Sequence, residues 1–143
     1  MTRKDWALLI ISIAGKNGLS PLRLQKSLFL IKQNIIEKIT DDFYEFEPYN
    51  YGPFSVEIYR DAEDLEINNF IKVNLSQYGN WTEYSITKDG EKKAEEIKQN
   101  LNSNIIKYIK ELVEWINNLN FREIVNFIYS NYPDYKVNSI IMS

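Results

Sequence analysis

Two adjacent apolar stripes on one segment constrain this chain more than any other feature. After Ser20-Pro21, Leu24, Leu28, Ile31 and Ile35 recur at helical spacing, and Leu22, Phe29 and Ile36 form a second stripe beside them. Ser20 is a good acceptor for the first free N–H groups and Pro21 fits the first helical position, so the helix starts here and runs to about Ile39. A helix apolar on two stripes is enclosed on two sides. Gln25 and Lys32 fall between the stripes. They are either rim residues with their polar ends in water or a semi-buried polar pair, and the rim is the expectation.

The remaining pattern places other elements around that helix. Residues 5–14 form a short apolar helix ending at Gly15-Lys16-Asn17-Gly18. Residues 43–47 are rich in strand-forming aromatics and predict a short edge strand, and Pro48 and Gly52-Pro53 then force turns. Ser55 is the candidate cap of a third helix, with Ile58, Ala62 and Leu65 facing inward beside Tyr59 and an end near Asn68-Asn69. Residues 70–75 and 80–86 have strand character and are joined by Ser76-Gln77-Tyr78-Gly79, which makes a β-hairpin. Thr87 caps the next helix, which Ile97 and Leu101 continue until a break around Asn100, Asn102 and Asn104. Ile105, Ile109, Leu112, Ile116 and Leu119 then mark a core helix expected to pack on the first. A last helix from Phe121 carries Ile124, Val125 and Ile128 and stops at Pro133, with residues 134–143 extended. The expected fold is mainly α with a small β-hairpin (α+β). Its order is that of a winged helix-turn-helix over residues 1–101, with a helical extension over 102–143 packed on it as one structural unit.

Composition removes several function classes. The chain has no cysteine and no histidine. Thiol nucleophiles and Cys-ligated zinc are excluded, and so are the usual general base and the commonest zinc ligand. There is no glycine-rich phosphate loop and no nucleophile elbow, so neither an enzyme nor a cofactor site is expected. The start, MTRKDWALLI, has basic residues before an apolar stretch, but that stretch is short and lacks a small-residue cleavage site. A core helix in a cytoplasmic protein is the better account, and no run approaches the roughly 20 apolar residues of a membrane helix.

Three segments carry a family resemblance. Leu24-Gln25-Lys26-Ser27-Leu28-Phe29-Leu30 resembles the "LQK-x-L-(F/Y)-L" helix of YwgA-like proteins and of the related Panacea (SocA-like) antitoxin domains. Tyr49-Asn50-Tyr51-Gly52-Pro53-Phe54-Ser55 resembles their "Y-x-(Y/F)-G-P-(Y/F)-S" turn, and residues 127–135 are similar to the "Y-x-x-(Y/F)-P-(E/D)-Y" ending of YwgA-like chains. The resemblance implies a protein-binding regulatory domain, antitoxin-like or adaptor-like, with no catalytic site to carry over. The long C-terminal helices depart from the Panacea pattern.

Charge distribution decides between partners. Residues 1–40 hold seven basic residues against two acidic, whereas residues 41–66 hold Arg60 against nine acids. The helix that would read DNA in a winged helix is therefore the most acidic part of the chain, and phosphate would be repelled. A protein partner is expected instead, with Tyr49, Tyr51, Phe54, Glu57, Asp61 and Asp64 as the candidate interface. Tyr51 and Phe54 lead because Gly52-Pro53 would hold them rigidly. The alternative is a DNA-binding transcription regulator using a basic face of Arg3, Lys4, Lys16, Arg23 and Lys26. A third reading makes the acidic stripe a DNA mimic. Glu57, Asp61 and Asp64 share a helix face that suits a hard cation, though a solvated face with Arg60 paired to Glu57 or Asp64 is the simpler account and no metal is expected. Trp115 stands off the stripe of the fifth helix, where a homodimer contact through the C-terminal helices is possible.

Overall fold

The computed structural model describes residues 1–35, 42–75, 82–136 and 139. Helix α1 (Arg3–Ala14) lies at the centre because Trp6, Ala7, Leu8, Leu9, Ile10 and Ile11 follow one another without a polar break, and all are buried. A helix apolar all round is stable only when covered on every side. Here α2 (Pro21–Ile35), α3 (Val56–Ile67), α4 (Lys88–Gln99), α5 (Ser103–Asn117) and strand β4 (Thr82–Ile86) all touch it. Its start is set by a reciprocal cap: the Thr2 hydroxyl accepts from the Asp5 N–H, and the Asp5 carboxylate accepts from the Thr2 N–H.

Helix α2 (Pro21–Ile35) begins where Ser20-Pro21 predicts, with Ser20 Oγ accepting the Arg23 N–H at 3.2 Å. Ile36 and the stretch to Ile39 lie outside the described residues. The edge strand expected at 43–47 falls later in the chain. β1 (Glu47–Tyr49) pairs antiparallel with β2 (Gly52–Phe54), so the segment expected to be only turns is itself a hairpin closed by Asn50 and Tyr51. The aromatic run before it is pulled inward instead, with Tyr44 fully buried. Gly52, at φ +102°, takes the backbone conformation that closes so short a loop.

Helix α3 (Val56–Ile67) buries Ile58, Ala62 and Leu65 as expected, and buries Asp61 with them. β3 (Ile71–Leu75) and β4 (Thr82–Ile86) pair antiparallel from Ile71 opposite Ile86 to Leu75 opposite Thr82; residues 76–81, the expected connection and the expected first two residues of the second strand, lie outside the described residues. Leu19, just before α2, exchanges two backbone hydrogen bonds with Tyr84 at 2.9 and 2.8 Å, adding one residue of pairing on the far side of β4. The Thr87 hydroxyl accepts the Gly90 N–H and starts α4 (Lys88–Gln99).

Asn102 caps α5 (Ser103–Asn117), and a capping box of Asn120 and Glu123 starts α6 (Phe121–Asn131). Ile105, Ile109, Leu112, Val113, Ile116, Ile124 and Ile128 join the same buried cluster as α1 and α2. The tail is not extended at its start: Pro133–Lys136 is a 3-10 turn. That turn sets Tyr135 edge-on to Phe29 at 4.8 Å, beside Tyr132 at 5.1 Å, and so covers the second stripe of α2. The fold is α+β, and no helix among the described residues is long and apolar enough to cross a membrane.

Candidate binding site

The β1–β2 hairpin is held against α2 by two polar side chains. Gln25 is 2% exposed, not at the rim, because its amide pairs with the backbone of Ser55 in both directions. Nε2 donates to the Ser55 carbonyl at 2.8 Å and Oε1 accepts the Ser55 N–H at 2.9 Å. The Ser55 side chain makes no capping bond. Its neighbour Lys26 is 3% exposed, and Nζ donates to the Pro53 carbonyl at 2.8 Å. Removal from water disfavours the ammonium and pushes its pKa down to about 7. Lys32 is partly buried, donating to the Tyr44 carbonyl and pairing with Glu45.

On this base the hairpin presents aromatic rings. Tyr49 is 53% exposed, Tyr51 and Tyr59 are each 40% exposed, and Phe54 lies between Tyr49 and Tyr59 at 5.1 and 5.5 Å. Tyr51 meets Phe121 of α6 edge-on at 5.2 Å, and buried Tyr129 of the same helix backs Gly52. Leu22, Gln25, Lys26, Gly52 and four rings, Tyr49, Tyr51, Phe54 and Tyr59, line a partly open cavity of about 190 Å³. Wider grooves elsewhere, such as the one of about 560 Å³ bounded by Ser12, Lys98, Lys110 and Glu114, are open and bear solvated charges.

The acids of α3 do not join the rings as one surface. Asp61 is 4% exposed, accepting from Tyr44 Oη at 2.6 Å and from Arg3 Nε at 3.1 Å, so it is an internal anchor and no candidate contact. Burial and the Asp61 carboxylate both raise the Tyr44 phenol well above its usual range. Glu57 is shared by Arg3 and Arg60, and Asp64 pairs with Lys4 at 3.3 Å. No group of three acidic side chains among the described residues is placed to hold a metal ion.

The basic residues form no common face either. Arg3 and Lys4 pair with α3, and Lys26 is inside. Arg23 reaches the end of α5, donating to the Ile116 and Leu119 carbonyls at 3.3 and 2.6 Å, with burial lowering its pKa. Lys16 alone of the five is exposed. Trp115 and Phe127 pair edge-on at 4.7 Å, each over a third exposed.

The roles of Gln25, Lys26 and Tyr129 were not evident from the sequence. The available signal was that Gln25 and Lys26 interrupt the apolar stripes of a helix that must be enclosed. Compared with protein-family models, characterised proteins and solved structures, the chain matches none.

Proposed function

We propose that this chain is a non-catalytic winged-helix regulatory module of the cytoplasm that binds a protein partner, as an antitoxin-like or adaptor-like domain does. The winged-helix reading is supported by three helices, with the β1–β2 hairpin inserted between α2 and α3, that precede the β3–β4 hairpin, and by the Leu19–Tyr84 bridge beside β4. The resemblance to YwgA-like and Panacea domains agrees with this reading.

One observation carries the partner assignment. The exposed rings of Tyr49 and Tyr51 stand on a hairpin whose backbone is clamped from beneath at Pro53 and, just after it, at Ser55, and the exposed ring of Tyr59 on α3 packs beside Phe54. Tyrosines held in place before binding lose little conformational freedom on contact, which is what makes such rings strong anchors. Glu57 is paired with Arg3 and Arg60 and Asp64 with Lys4, so the rings, and not these acids, carry the reading. Asp61 belongs to the core and is left out of the interface.

The test is in vivo photo-crosslinking from position 51 in the native host, followed by purified binding to the captured protein. Replacing Tyr49 and Tyr51 together by alanine is expected to weaken binding at least tenfold with the thermal midpoint unchanged. Full binding by that variant would overturn the assignment.

A further inference from the structure

The cavity beside the hairpin has a feature that partner binding through exposed rings does not use. Its lining includes one cationic side chain, Lys26, and no acidic one. A lysine ammonium has three N–H donors. The described residues give the Lys26 amine one acceptor, the Pro53 carbonyl. The acids of α3 are engaged elsewhere, Glu57 with Arg3 and Arg60 and Asp61 with Arg3 and Tyr44. The other titratable groups around Lys26 are phenols, Tyr49, Tyr51 and Tyr59 in the lining and Tyr129 behind Gly52. A cation held out of water without a counter-charge is unfavourable unless something brings one.

The size and chemistry of the space narrow what that is. An apolar cavity of about 150 Å³ takes a benzene, so about 190 Å³ holds one ring with a small polar head. A phosphate dianion would find one lysine, no arginine, and the Ser55 N–H already taken by Gln25. A single negative charge matches a single ammonium. Gly52 keeps the approach open, since a Cβ there would sit 3.8 Å from Lys26 Nζ and 3.3 Å from the Tyr129 ring.

We propose that this cavity binds a monocarboxylate with an apolar body of about one aromatic ring, its carboxylate accepting from Lys26 and its body lying among Tyr49, Tyr51, Phe54 and Tyr59. The acid is either a free small molecule or the C-terminal residue of a polypeptide. The site shares walls with the partner surface, but it does not require that surface to bind a protein.

The experiment is a calorimetric titration of the full chain with four probes. These are 3-phenylpropionate, its amide, and an acetylated tripeptide ending in phenylalanine with either a free or an amidated terminus. In parallel, the Lys26 side-chain Cε resonance is followed by NMR in the wild type. At least one acid is expected to bind, at least tenfold more tightly than its amide, and to shift the Lys26 resonance. Its affinity should fall by up to tenfold per pH unit above about pH 7, where the free amine loses its proton. Lys26→Met should abolish the preference for acid over amide. Binding of the small acid alone assigns a free ligand, and binding of the peptide acid alone assigns a chain terminus. Equal binding of acid and amide, an unmoved Lys26 resonance at saturation, or no binding of either acid at millimolar concentration overturns the proposal. The wild-type resonance decides even if Lys26→Met does not fold. Failure here leaves the Tyr49 and Tyr51 crosslinking result standing, and failure there leaves this titration standing.

Discussion

Gln25 holds Ser55 as a neighbouring strand would, its side-chain amide giving one hydrogen bond to the Ser55 carbonyl and taking one from the Ser55 N–H. The pair fixes the first turn of α3 against the middle of α2 across thirty residues of chain. A buried amide that satisfies two buried backbone groups is far better placed there than an apolar side chain of the same size.

Gln25→Leu keeps the volume and leaves the Ser55 N–H unpaired, while the Ser55 carbonyl keeps the Ile58 N–H at 3.2 Å. The expected loss is about 1–3 kcal/mol, read as a lower urea midpoint with an unchanged m-value. A loss below about 1 kcal/mol would show that water enters and replaces the amide.

Asp61→Ala is expected to destabilise the fold by about 2–3 kcal/mol. That is less than the roughly 3–5 kcal/mol of a fully buried pair, because Arg3 is about one-third exposed and keeps Glu57. The Tyr44 hydroxyl is the group stranded inside. Tyr44→Phe should therefore recover part of the loss in the Asp61→Ala background, a coupling that a double-mutant cycle on thermal unfolding measures.

Lys26 predicts a pH dependence of stability. Its pKa is about 7 when folded against 10.5 for the free side chain, so between those values the unfolded chain binds more protons. Stability conferred by position 26 therefore rises with pH across that window and is flat below it, with a slope of up to about 1.4 kcal/mol per pH unit. The Tyr84 phenol, raised to about 12 by burial, acts in the opposite direction above pH 10 in any variant. The measurement is the difference between wild type and Lys26→Met, which should grow in favour of wild type from about pH 7 to pH 10. A constant difference would mean that Lys26 stays charged.

Gly90→Ala should destabilise by roughly 2 kcal/mol or more, although alanine is the better helix former by about 1 kcal/mol. A Cβ at this position would lie 2.0 Å from the Phe70 carbonyl oxygen and 2.6 Å from Ile86 Cδ1. The carbonyl is backbone and also receives the Thr87 N–H, so it does not move aside. Differential scanning calorimetry reads this directly; a midpoint at or above wild type would refute the clash.

Local chemistry made most of the elements legible. Ser20-Pro21, Thr87, the Asn-rich break before α5 and Pro133 each act within one helical turn of their own position, so each boundary follows from the residues beside it. The apolar stripes of α2, α3 and α5 likewise name their buried faces without knowledge of what covers them. The β1–β2 hairpin was less legible, since Pro48 and Pro53 look like strand breakers and yet stand opposite each other in its register.

The partners of the polar residues on buried faces were not legible. Gln25, Lys26 and Asp61 read as surface residues because a charge or amide belongs in water unless a partner is waiting, and their partners lie between 17 and 58 residues away. Helical periodicity therefore determined where the elements lie and which faces turn inward. Only the packing of the helices decided that Arg3 and Lys4 would be paired with α3 and Arg23 with the end of α5, and that Lys26 would line an aromatic cavity. Hydrogen-bond partners distant in sequence meet only once the core has closed, so no window along the chain contains them.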